Sequence, residues 1–430
     1  MIEKAKLRQV IADQTEDIPA ILSRCRVERL LEGELRGSLS DGLIKVISGV
    51  RRCGKSVLAH RVLRGLPYAY VNFDDERLAD LKTGDLDLLL ETLHELRPGF
   101  RYLLLDEIQN IARWELFASR LQRGGTKVVV TGSNAHLLSR DLATHLTGRH
   151  KVFEIYPYSF REYLRSEGRE PAGQGTSARS HGTRARAALA SAFAGYFDRG
   201  GFPELPLIND KKSYLRDLYD KVLVQDIAVR HGVRHIRTLR DIALYTADNF
   251  ASRFSYKNIA DAYSIGSVHT VKNYLSYMEE AYLFFAVEAF SHKARQRVRL
   301  PRKIYGIDTA MLRAISVSGG RNEGRLLENL VFLELLRRGR SPVYYSDARR
   351  GHEVDFLCRP AGGGAPEFIQ VCSAMDAPGT RERELRALAG AVERFGASSM
   401  TIVTMDASGR EKAAGKDVRI VPAWEWLLEE

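Results

Sequence analysis

The chain has 430 residues, of which 44% are hydrophobic and 28% are charged, and its formal net charge is +11. This composition is typical of a globular protein with two or three domains. No apolar run approaches the ~18 residues of a membrane span, and the N-terminus has no apolar signal-peptide core, so we expect a cytoplasmic protein without a membrane partner. The four cysteines show no C-x-x-C spacing, so the sequence predicts neither a zinc knuckle nor a disulfide framework.

The first motif lies in the segment 43–64, LIKVISGVRRCGKSVLAHRVLR. Its apolar start predicts a buried parallel strand, and an amphipathic helix follows the glycine-rich loop. G-x-x-x-x-G-K-S between a strand and a helix indicates a loop whose backbone N–H groups surround nucleotide phosphates. We expect Lys55 to reach the β- and γ-phosphates of ATP and Ser56 to bind Mg²⁺. The residues predicted to contact the nucleotide are Gly49, Arg51, Arg52, Cys53, Gly54, Lys55, Ser56 and Val57.

Two further strands end in polar residues. The strand 102–105 is followed by Asp106, which we expect to hold Mg²⁺ through water, and by Glu107, which we expect to take a proton from the attacking water. This acidic pair favours an ATPase over a kinase or GTPase. The strand 127–131 precedes Ser133 and Asn134, either of which can orient the attacking water.

An arginine follows the third of these strands. Gly148-Arg149 makes Arg149 a candidate arginine finger, and Arg140 is a competing candidate. A finger of this kind acts on the active site of a neighbouring subunit. The prediction therefore implies a homo-oligomer, possibly a hexameric ring.

The order of these motifs resembles a known family. Over roughly residues 20–165, the chain is similar to bacterial and archaeal AAA-type (AAA+) ATPases with a C-terminal domain of unknown function, family 4143. The segments that carry this resemblance are GVRRCGKS, YVNFDDERL, YLLLDEIQN, VVVTGSNAHLLS, LTGRH and YPYSFREYL. The resemblance implies an α/β, doubly wound P-loop core with a tendency to form oligomers. It implies the roles given above for Lys55, Ser56, Asp106, Glu107, and Ser133 or Asn134, but no substrate. Cys53 is a departure from the pattern, and its side chain can point away from phosphate.

The middle of the chain combines a linker with helical patterns. Residues 166–195 are rich in Gly, Ser, Ala and Arg and predict a mobile linker or loop. Helices are expected at 242–250, 256–263 and 267–282, the last with Val268, Val271, Leu275 and Met278 on its apolar face. Apolar strands at 283–290 and 303–308, around a basic segment, complete a pattern typical of a winged helix. The glycine-proline signature at 196–204 resembles the same family and indicates a tight turn.

This middle region is also basic. Residues 211–305 contain 17 Lys and Arg against 9 Asp and Glu, a local charge of +8. The excess favours DNA as a partner, while a solvated basic face or an acidic protein partner are the alternatives. The module can equally be architectural, as a lid or subunit contact. The predicted DNA contacts are His269, Thr270, Lys272, Asn273, Lys293, Arg295, Arg297 and Arg299.

The C-terminal part, about 320–425, resembles a restriction-endonuclease-like core in its order of helix, hairpin, strand, helix and strand. Its metal-dependent centre would consist of Glu328, Asp355, Gln370 and Cys372. Gln370 is a poor ligand for a hard cation, and Cys372 cannot replace a permanent ammonium. Since one lost electrostatic donor costs ~10²–10³ in rate, we expect a vestigial centre with no fixed cation and no DNA cleavage. We expect the domain to pack through its helix stripe, Leu326, Leu330 and Leu333, and to shape an oligomer or a nucleic-acid surface.

These patterns predict four segments: a P-loop AAA+ ATPase core at 1–165, a flexible linker at 166–195, a helical and winged-helix domain at 196–310, and a degenerate nuclease-like α/β domain at 311–430. The expected function is ATP hydrolysis, with ATP and ADP as ligands, coupled to DNA binding or remodelling. One alternative is a nucleotide-gated protein-interaction switch without nucleic acid. Another is an ATPase-coupled, metal-dependent nuclease.

Overall fold

The computed structural model describes residues 2–23, 27–134, 148–169, 182–317, 322–347, 349–360, 362–376 and 379–429. Arg140, the competing finger candidate, lies outside these ranges. The chain divides into two compact units. The first unit runs to Tyr156 and includes Glu280–Tyr282, and the second contains Pro157–Glu279 and Leu283–Glu430. Among the described residues, no helix has the length and apolar character needed to cross a membrane.

The first unit is built on a sheet of five parallel strands. They are β1 Ile44–Ser48, β2 Tyr68–Asn72, β3 Tyr102–Asp106, β4 Lys127–Gly132 and β5 His150–Glu154, in the order β2-β3-β4-β1-β5. All residues of β1 are buried, as its continuous apolar run predicts. The predicted α/β P-loop core is confirmed.

The described helices of this unit pack around the sheet. They are α1 Lys4–Glu16, α2 Ile18–Ser23, α3 Glu32–Ser38, α4 Lys55–Leu63, α5 Leu86–Leu96 and α6 Trp114–Arg123. Leu89 and Leu93 of α5 belong to the same buried cluster as Leu103 and Leu105 of β3. Because the strands are parallel, the carboxyl ends of β1, β3 and β4 lie at one edge of the sheet, where their loops meet.

The second unit begins with helices. They are α7 Phe160–Ser166, α8 Thr183–Arg199, α9 Lys211–Lys221, α10 Ile236–Asp248, α11 Tyr256–Ala262 and α12 Val268–Glu280, with a π-helix at Val222–Val229 after α9. Helix α8 begins inside the segment predicted as a linker, so that prediction is wrong over 183–195. Its aromatic residues Phe193, Tyr196 and Phe197 are buried and give the segment the apolar surface that it needs to fold.

The glycine-proline signature makes a close backbone crossing. The backbone N–H of Gly201 donates to Asp308 Oδ2 at 2.7 Å, and its carbonyl accepts from the N–H of Tyr158 at 2.7 Å. A Cβ at Gly201 would lie 2.5 Å from the carbonyl oxygen of Tyr158. Gly200 has φ +74°, and a Cβ there would lie 2.4 Å from Asp308 Oδ1. The two glycines are therefore required by the close approach, which explains the expected tight turn.

A small antiparallel sheet combines one strand before helix α11 with two strands after helix α12. It contains β6 Arg253–Phe254, β7 Phe284–Val287 and β8 Arg302–Gly306, in the order β6-β8-β7. The basic segment expected in a wing forms a short helix, α13 Ala294–Arg299. On α12, Val268 is exposed and Tyr274 is buried, so the predicted apolar face is wrong at its first position. The identification of this module as a winged helix stays a prediction.

The chain ends in a mixed α/β domain with six strands in the order β13-β14-β12-β11-β10-β9. Its elements are α14 Thr309–Ile315, α15 Glu323–Arg337, β9 Val343–Asp347, β10 His352–Cys358, β11 Glu367–Cys372, α16 Thr380–Phe395, β12 Ser399–Thr404, β13 Gly409–Ala413, β14 Lys416–Pro422 and α17 Ala423–Trp426. The stripe of α15, Leu326, Leu330 and Leu333, is buried within the chain. The stripe therefore packs inside the chain, and the expectation that the domain shapes an oligomer or a nucleic-acid surface stays a prediction.

Candidate functional site

The loop between β1 and α4 has the backbone geometry of an anion site. Gly49 has φ +156°, and a Cβ there would lie 2.1 Å from the carbonyl oxygen of Ile155. Gly54 has φ +95° and directly precedes Lys55, the first residue of α4. The first N–H groups of a helix have no acceptor within the helix, and the helix dipole favours negative charge there. Loop and helix start together can therefore accept phosphate oxygens.

The side chain of Lys55, at the start of α4, directs its ammonium group into this loop. Its side chain is buried, and Nζ donates to the carbonyl oxygens of Gly49 and Val50, both at 3.2 Å. Nζ also lies 3.5 Å from Glu107 Oε1. These contacts are long for an ammonium. Phosphate oxygens that enter the loop can therefore replace them.

Asp106, at the end of β3, is held by hydroxyl groups. Oδ1 accepts from Ser56 Oγ at 3.0 Å and from Thr131 Oγ1, and Oδ2 lies 3.4 Å from the Tyr70 hydroxyl. Burial, and then the charge of Glu107, raise the pKa of Asp106 to about 6. Hydroxyl donors do not neutralise a carboxylate. The Ser56 hydroxyl and the Asp106 carboxylate thus form a pair of hard oxygen ligands suited to Mg²⁺.

Glu107 is positioned by its backbone as well as by its side chain. It has φ +49°, and its N–H donates to Thr131 Oγ1 at 3.1 Å. Its carboxylate accepts from Gln109 Nε2 at 2.5 Å. Burial opposes ionisation, but Lys55, Gln109 and Arg51 outweigh it, so the pKa of Glu107 is lowered. The side chain is therefore a carboxylate at neutral pH, as a general base requires.

The other predicted nucleotide contacts divide between the loop surface and the interior. Arg52 is exposed with φ +69°, while Arg51 and Val57 are half-buried. Cys53 is fully buried, and its Sγ lies 3.1 Å from the Cβ position of Gly49. Its side chain is therefore part of the interior below the loop.

Ser133 and Asn134 lie directly after β4, at the same edge of the sheet as Asp106 and Glu107. Both residues are buried. The carbonyl oxygen of Asn134 accepts from Ser48 Oγ at 3.1 Å, which attaches this turn to the residue before the loop. Their place is consistent with the predicted role in orienting water, which stays a prediction.

Arg149 lies at the amino ends of the parallel strands, opposite the carboxyl ends that carry the loop. It precedes β5, and its carbonyl oxygen accepts from the N–H of Ile44, the first residue of β1. Since β1 and β5 are parallel, this edge is separated from the loop by the length of the strand. Arg149 is exposed. It cannot reach the site of its own chain, so a finger role would require a second chain.

Two residues of the site were not predicted from the sequence. Arg29 is buried beneath the loop, and its guanidinium donates to the carbonyl oxygens of Cys53 at 2.7 Å and Tyr156 at 2.5 Å. Tyr282 has φ +58°, and its hydroxyl lies 3.0 Å from Ser48 Oγ and 3.1 Å from Glu154 Oε1. Neither residue belongs to a local motif that could have revealed it.

The remaining predicted sites lie in the second unit. His269, Lys272 and Asn273 are exposed on α12, and Thr270 is half-buried. The basic side chains of the segment 293–299 are exposed: Lys293, Arg295, Arg297 and Arg299. Glu328, Asp355 and Gln370 line one cleft of about 320 Å³. Cys372 instead belongs to a buried apolar cluster with Phe368 and Leu388.

Comparison with known proteins places this fold and loop in a recognised class. Residues 41–164 match the AAA domain, so this part of the chain is an AAA-type P-loop ATPase domain. Residues 191–321 match a domain of unknown function, DUF8612. The expected domain of family 4143 is not confirmed, because the match beyond the AAA domain is to this other family.

Relatives that match most of the chain define the family more closely. The chain is 33% identical to the uncharacterized protein MJ1544 of Methanocaldococcus jannaschii, over 100% of this chain and 96% of that protein. It is 32% identical to an uncharacterized protein of Haemophilus influenzae, over 78% of this chain and 83% of that protein. The chain therefore belongs to the same family of AAA-domain proteins as MJ1544. The Walker-type ATPase PABY2304 of Pyrococcus abyssi is 14% identical with a TM-score of 0.42, covering 67% of this chain and 95% of that one. A score below 0.5 supports no further assignment.

We predict that Arg29→Met destabilises the first unit, because the substitution leaves two buried carbonyl oxygens without this donor. Loss of a buried partner costs about 1–3 kcal/mol for each group, so the free energy of unfolding should fall by about 2 kcal/mol or more. Denaturant unfolding of the full chain measures this. Arg8→Met, which removes an exposed ion pair to Glu95, is the matched control and should cost less than about 1 kcal/mol. Equal losses in the two variants would contradict the role of Arg29.

Proposed function

We propose that the chain binds ATP with Mg²⁺ in the loop 49–56 and hydrolyses it to ADP and phosphate. The observation that carries this proposal is the convergence of Lys55, Ser56, Asp106 and Glu107 at the carboxyl edge of the parallel sheet. Each of these side chains contacts another member of the group, at 3.0 Å for Ser56–Asp106 and 3.5 Å for Lys55–Glu107. A cation for phosphate, hard oxygen ligands and an ionised carboxylate are the components that phosphoryl transfer to water requires.

The residues present fit a magnesium ion bound with the nucleotide. Ser56 and Asp106 would hold Mg²⁺, which neutralises charge on the phosphate oxygens when it is bound. The loop N–H groups and Lys55 would bind the β- and γ-phosphates. When Lys55 turns to phosphate, its contact with Glu107 is weakened, and the Glu107 carboxylate becomes available to accept a proton from water.

Oligomerisation is the second part of the proposal. Arg149 is exposed at the edge of the sheet opposite the loop, so it can serve a nucleotide site only in a neighbouring chain. We therefore assign Arg149 as an arginine finger that acts between subunits. Such a residue stabilises the charge of the transition state.

DNA is the proposed partner of the second unit. Several cations of the basic middle region are engaged inside the chain: Arg302 pairs with Glu288 at 2.7 Å, and Lys303 is buried among carboxylates. Four exposed cations lie close together between Lys293 and Arg299, with no acidic residue between them, and they are near in sequence to the exposed polar residues of α12. Such a surface suits the phosphate backbone and predicts DNA binding without strong sequence preference.

We predict that Lys55→Ala weakens ATP binding by about 30-fold or more, because it removes the buried cation of the loop. Glu107→Gln should retain binding while turnover falls by about 10²–10⁴-fold, because only the proton acceptor is lost. Binding by calorimetry and phosphate release measure the two effects. Lys6→Ala and Glu76→Gln change exposed residues of the same unit and should alter neither. Normal affinity in Lys55→Ala, or normal turnover in Glu107→Gln, would refute the assignment.

We predict that Arg149→Ala and Glu107→Gln proteins, each inactive, regain part of the ATPase activity when mixed. In a mixed oligomer, some interfaces combine an intact Glu107 with an intact Arg149. The measurement is phosphate release after subunit exchange, which a fluorescence label on each protein confirms. Exchange without any gain in activity would show that Arg149 is not a finger.

We predict that charge reversal of Lys293, Arg295, Arg297 and Arg299 to Glu weakens binding to all DNA sequences by similar factors. Each lost phosphate contact should also reduce the slope of log affinity against log salt by about 0.9. Reversal of Arg386, Arg410, Lys412 and Lys416, which are exposed elsewhere in the unit, gives the same change in net charge as a control. If both variants bind DNA like the natural sequence, the basic segment has another partner. ATP-dependent binding of a protein in place of DNA would then favour the nucleotide-gated switch.

A further inference from the structure

A buried lysine that the sequence motifs did not include lies at the centre of the predicted nuclease site. Lys303 is the second residue of β8 and is only 2% exposed. Its Nζ lies 2.8 Å from Glu328 Oε1, 2.7 Å from Glu353 Oε1 and 2.9 Å from Asp355 Oδ1. Nζ donates charge-assisted hydrogen bonds to Glu328 and Asp355, and its contact with Glu353 is an ion pair. The expectation that no fixed cation is present here is therefore wrong.

The carboxylates have further donors within the chain. Glu328 Oε1 also accepts from the Tyr305 hydroxyl at 2.7 Å, and Asp355 Oδ2 accepts from the N–H of Val371 at 3.0 Å. Glu353 Oε2 lies 3.1 Å from Arg253 Nε. Both oxygens of Asp355 thus accept a hydrogen bond, the Glu328 oxygen that faces Lys303 accepts two, and each oxygen of Glu353 forms an ion pair. Each of the three carboxylates thus has a partner within the chain.

Gln370 completes the network from β11. Its Oε1 accepts from the N–H of Asp355 at 3.1 Å, and its Nε2 donates to Glu384 Oε2 at 2.6 Å. A glutamate at this position could not donate to Glu384 and would place two carboxylates side by side. The neutral amide therefore suits the contacts that the structure contains.

These residues do not fit the divalent metal that a nuclease-like fold implies. The oxygens that would bind a metal are turned to the Lys303 ammonium, so a metal ion would meet a like charge there. In the parts of the chain that the structure describes, no group of three or more His, Cys, Asp or Glu residues could hold a metal ion. Burial would lower the pKa of Lys303, but Asp355, Glu328 and Glu353 outweigh it and raise this pKa well above its usual value. The lysine remains charged.

We infer that the Lys303 ammonium takes the place of the metal ion and makes this centre a metal-independent ionic joint between the three-stranded sheet and the C-terminal domain. Lys303 and Arg253 are cross-strand partners on β8 and β6, and both contact carboxylates of the C-terminal domain. Removing one partner of such a buried network leaves uncompensated charge, whereas replacing all partners by neutral groups costs little. The joint also explains why the centre does not need a lysine at position 372. This inference does not rest on the proposed ATPase activity.

The first experiment measures Mn²⁺ binding by electron paramagnetic resonance of the free ion, with the full chain and without nucleotide. The natural sequence should show no binding that depends on Asp355. Lys303→Met should bind one additional Mn²⁺ per chain, with an affinity about tenfold or more above that of the natural sequence at this centre. The further change Asp355→Asn should remove this binding. Lys257→Met, an exposed lysine on α11, is the matched control and should behave like the natural sequence. Binding to the natural sequence that is lost in Asp355→Asn would overturn the inference, because the metal would then coexist with Lys303.

The second experiment remains informative if Lys303→Met folds poorly. Thermal unfolding is compared between Lys303→Met and the triple variant Lys303→Met, Glu328→Gln, Asp355→Asn. The triple variant should reverse at least about half of the decrease in melting temperature that Lys303→Met causes. Its side chains at these positions are neutral and therefore leave no unpaired buried charge. A triple variant that is no more stable than the single one would overturn the inference. ATP binding, measured on the same proteins, reports separately on the first unit.

Discussion

Both units bury carboxylates, and the cost of removing these charges from water determines what must surround them. An isolated carboxylate in a protein interior is too costly to persist, so it is hydrogen-bonded or paired. In the first unit, Asp106 is held by the hydroxyls of Ser56, Thr131 and Tyr70. Hydroxyls satisfy the oxygens but leave the negative charge, and burial raises the pKa of Asp106 to about 6. A carboxylate of this kind is stabilised further by a cation that arrives with a ligand.

In the second unit, a cation of the chain itself offsets the cost of burying the carboxylates. Asp355 is paired with a permanent charge, the Lys303 ammonium at 2.9 Å, and with a backbone N–H. Here the neutralising cation is part of the chain, so no external ion is needed. Similar acidic side chains near strands are thus held by neutral hydroxyls in one unit and by a fixed cation in the other. The identity of the donors, and not the number of carboxylates, decides between these outcomes.

The parts that the sequence predicts well are those in which a local pattern contains its own partners. Strand, glycine-rich loop and helix are contiguous at 43–64, so the position of Lys55 and Ser56 follows from a short stretch. The helix α8 was missed because its segment was assigned by composition, although Phe193, Tyr196 and Phe197 have helical spacing. Arg29, Tyr282 and Lys303 could not be found in this way. Their partners are far away along the chain, for example 127 residues between Arg29 and Tyr156.

In the C-terminal domain, the cation of the acidic centre comes from outside the strands that form the nuclease-like motif. The absence of lysine at position 372 predicts a centre without a cation only if the cation has to come from the motif strands. The structure supplies the cation from β8, outside those strands, so a missing motif residue does not imply a missing charge. A lysine that only polarised a bound phosphate would leave carboxylate oxygens open to a metal. Lys303 contacts three carboxylates at once, and the same contacts that stabilise the fold exclude a metal ion from the position that it would occupy.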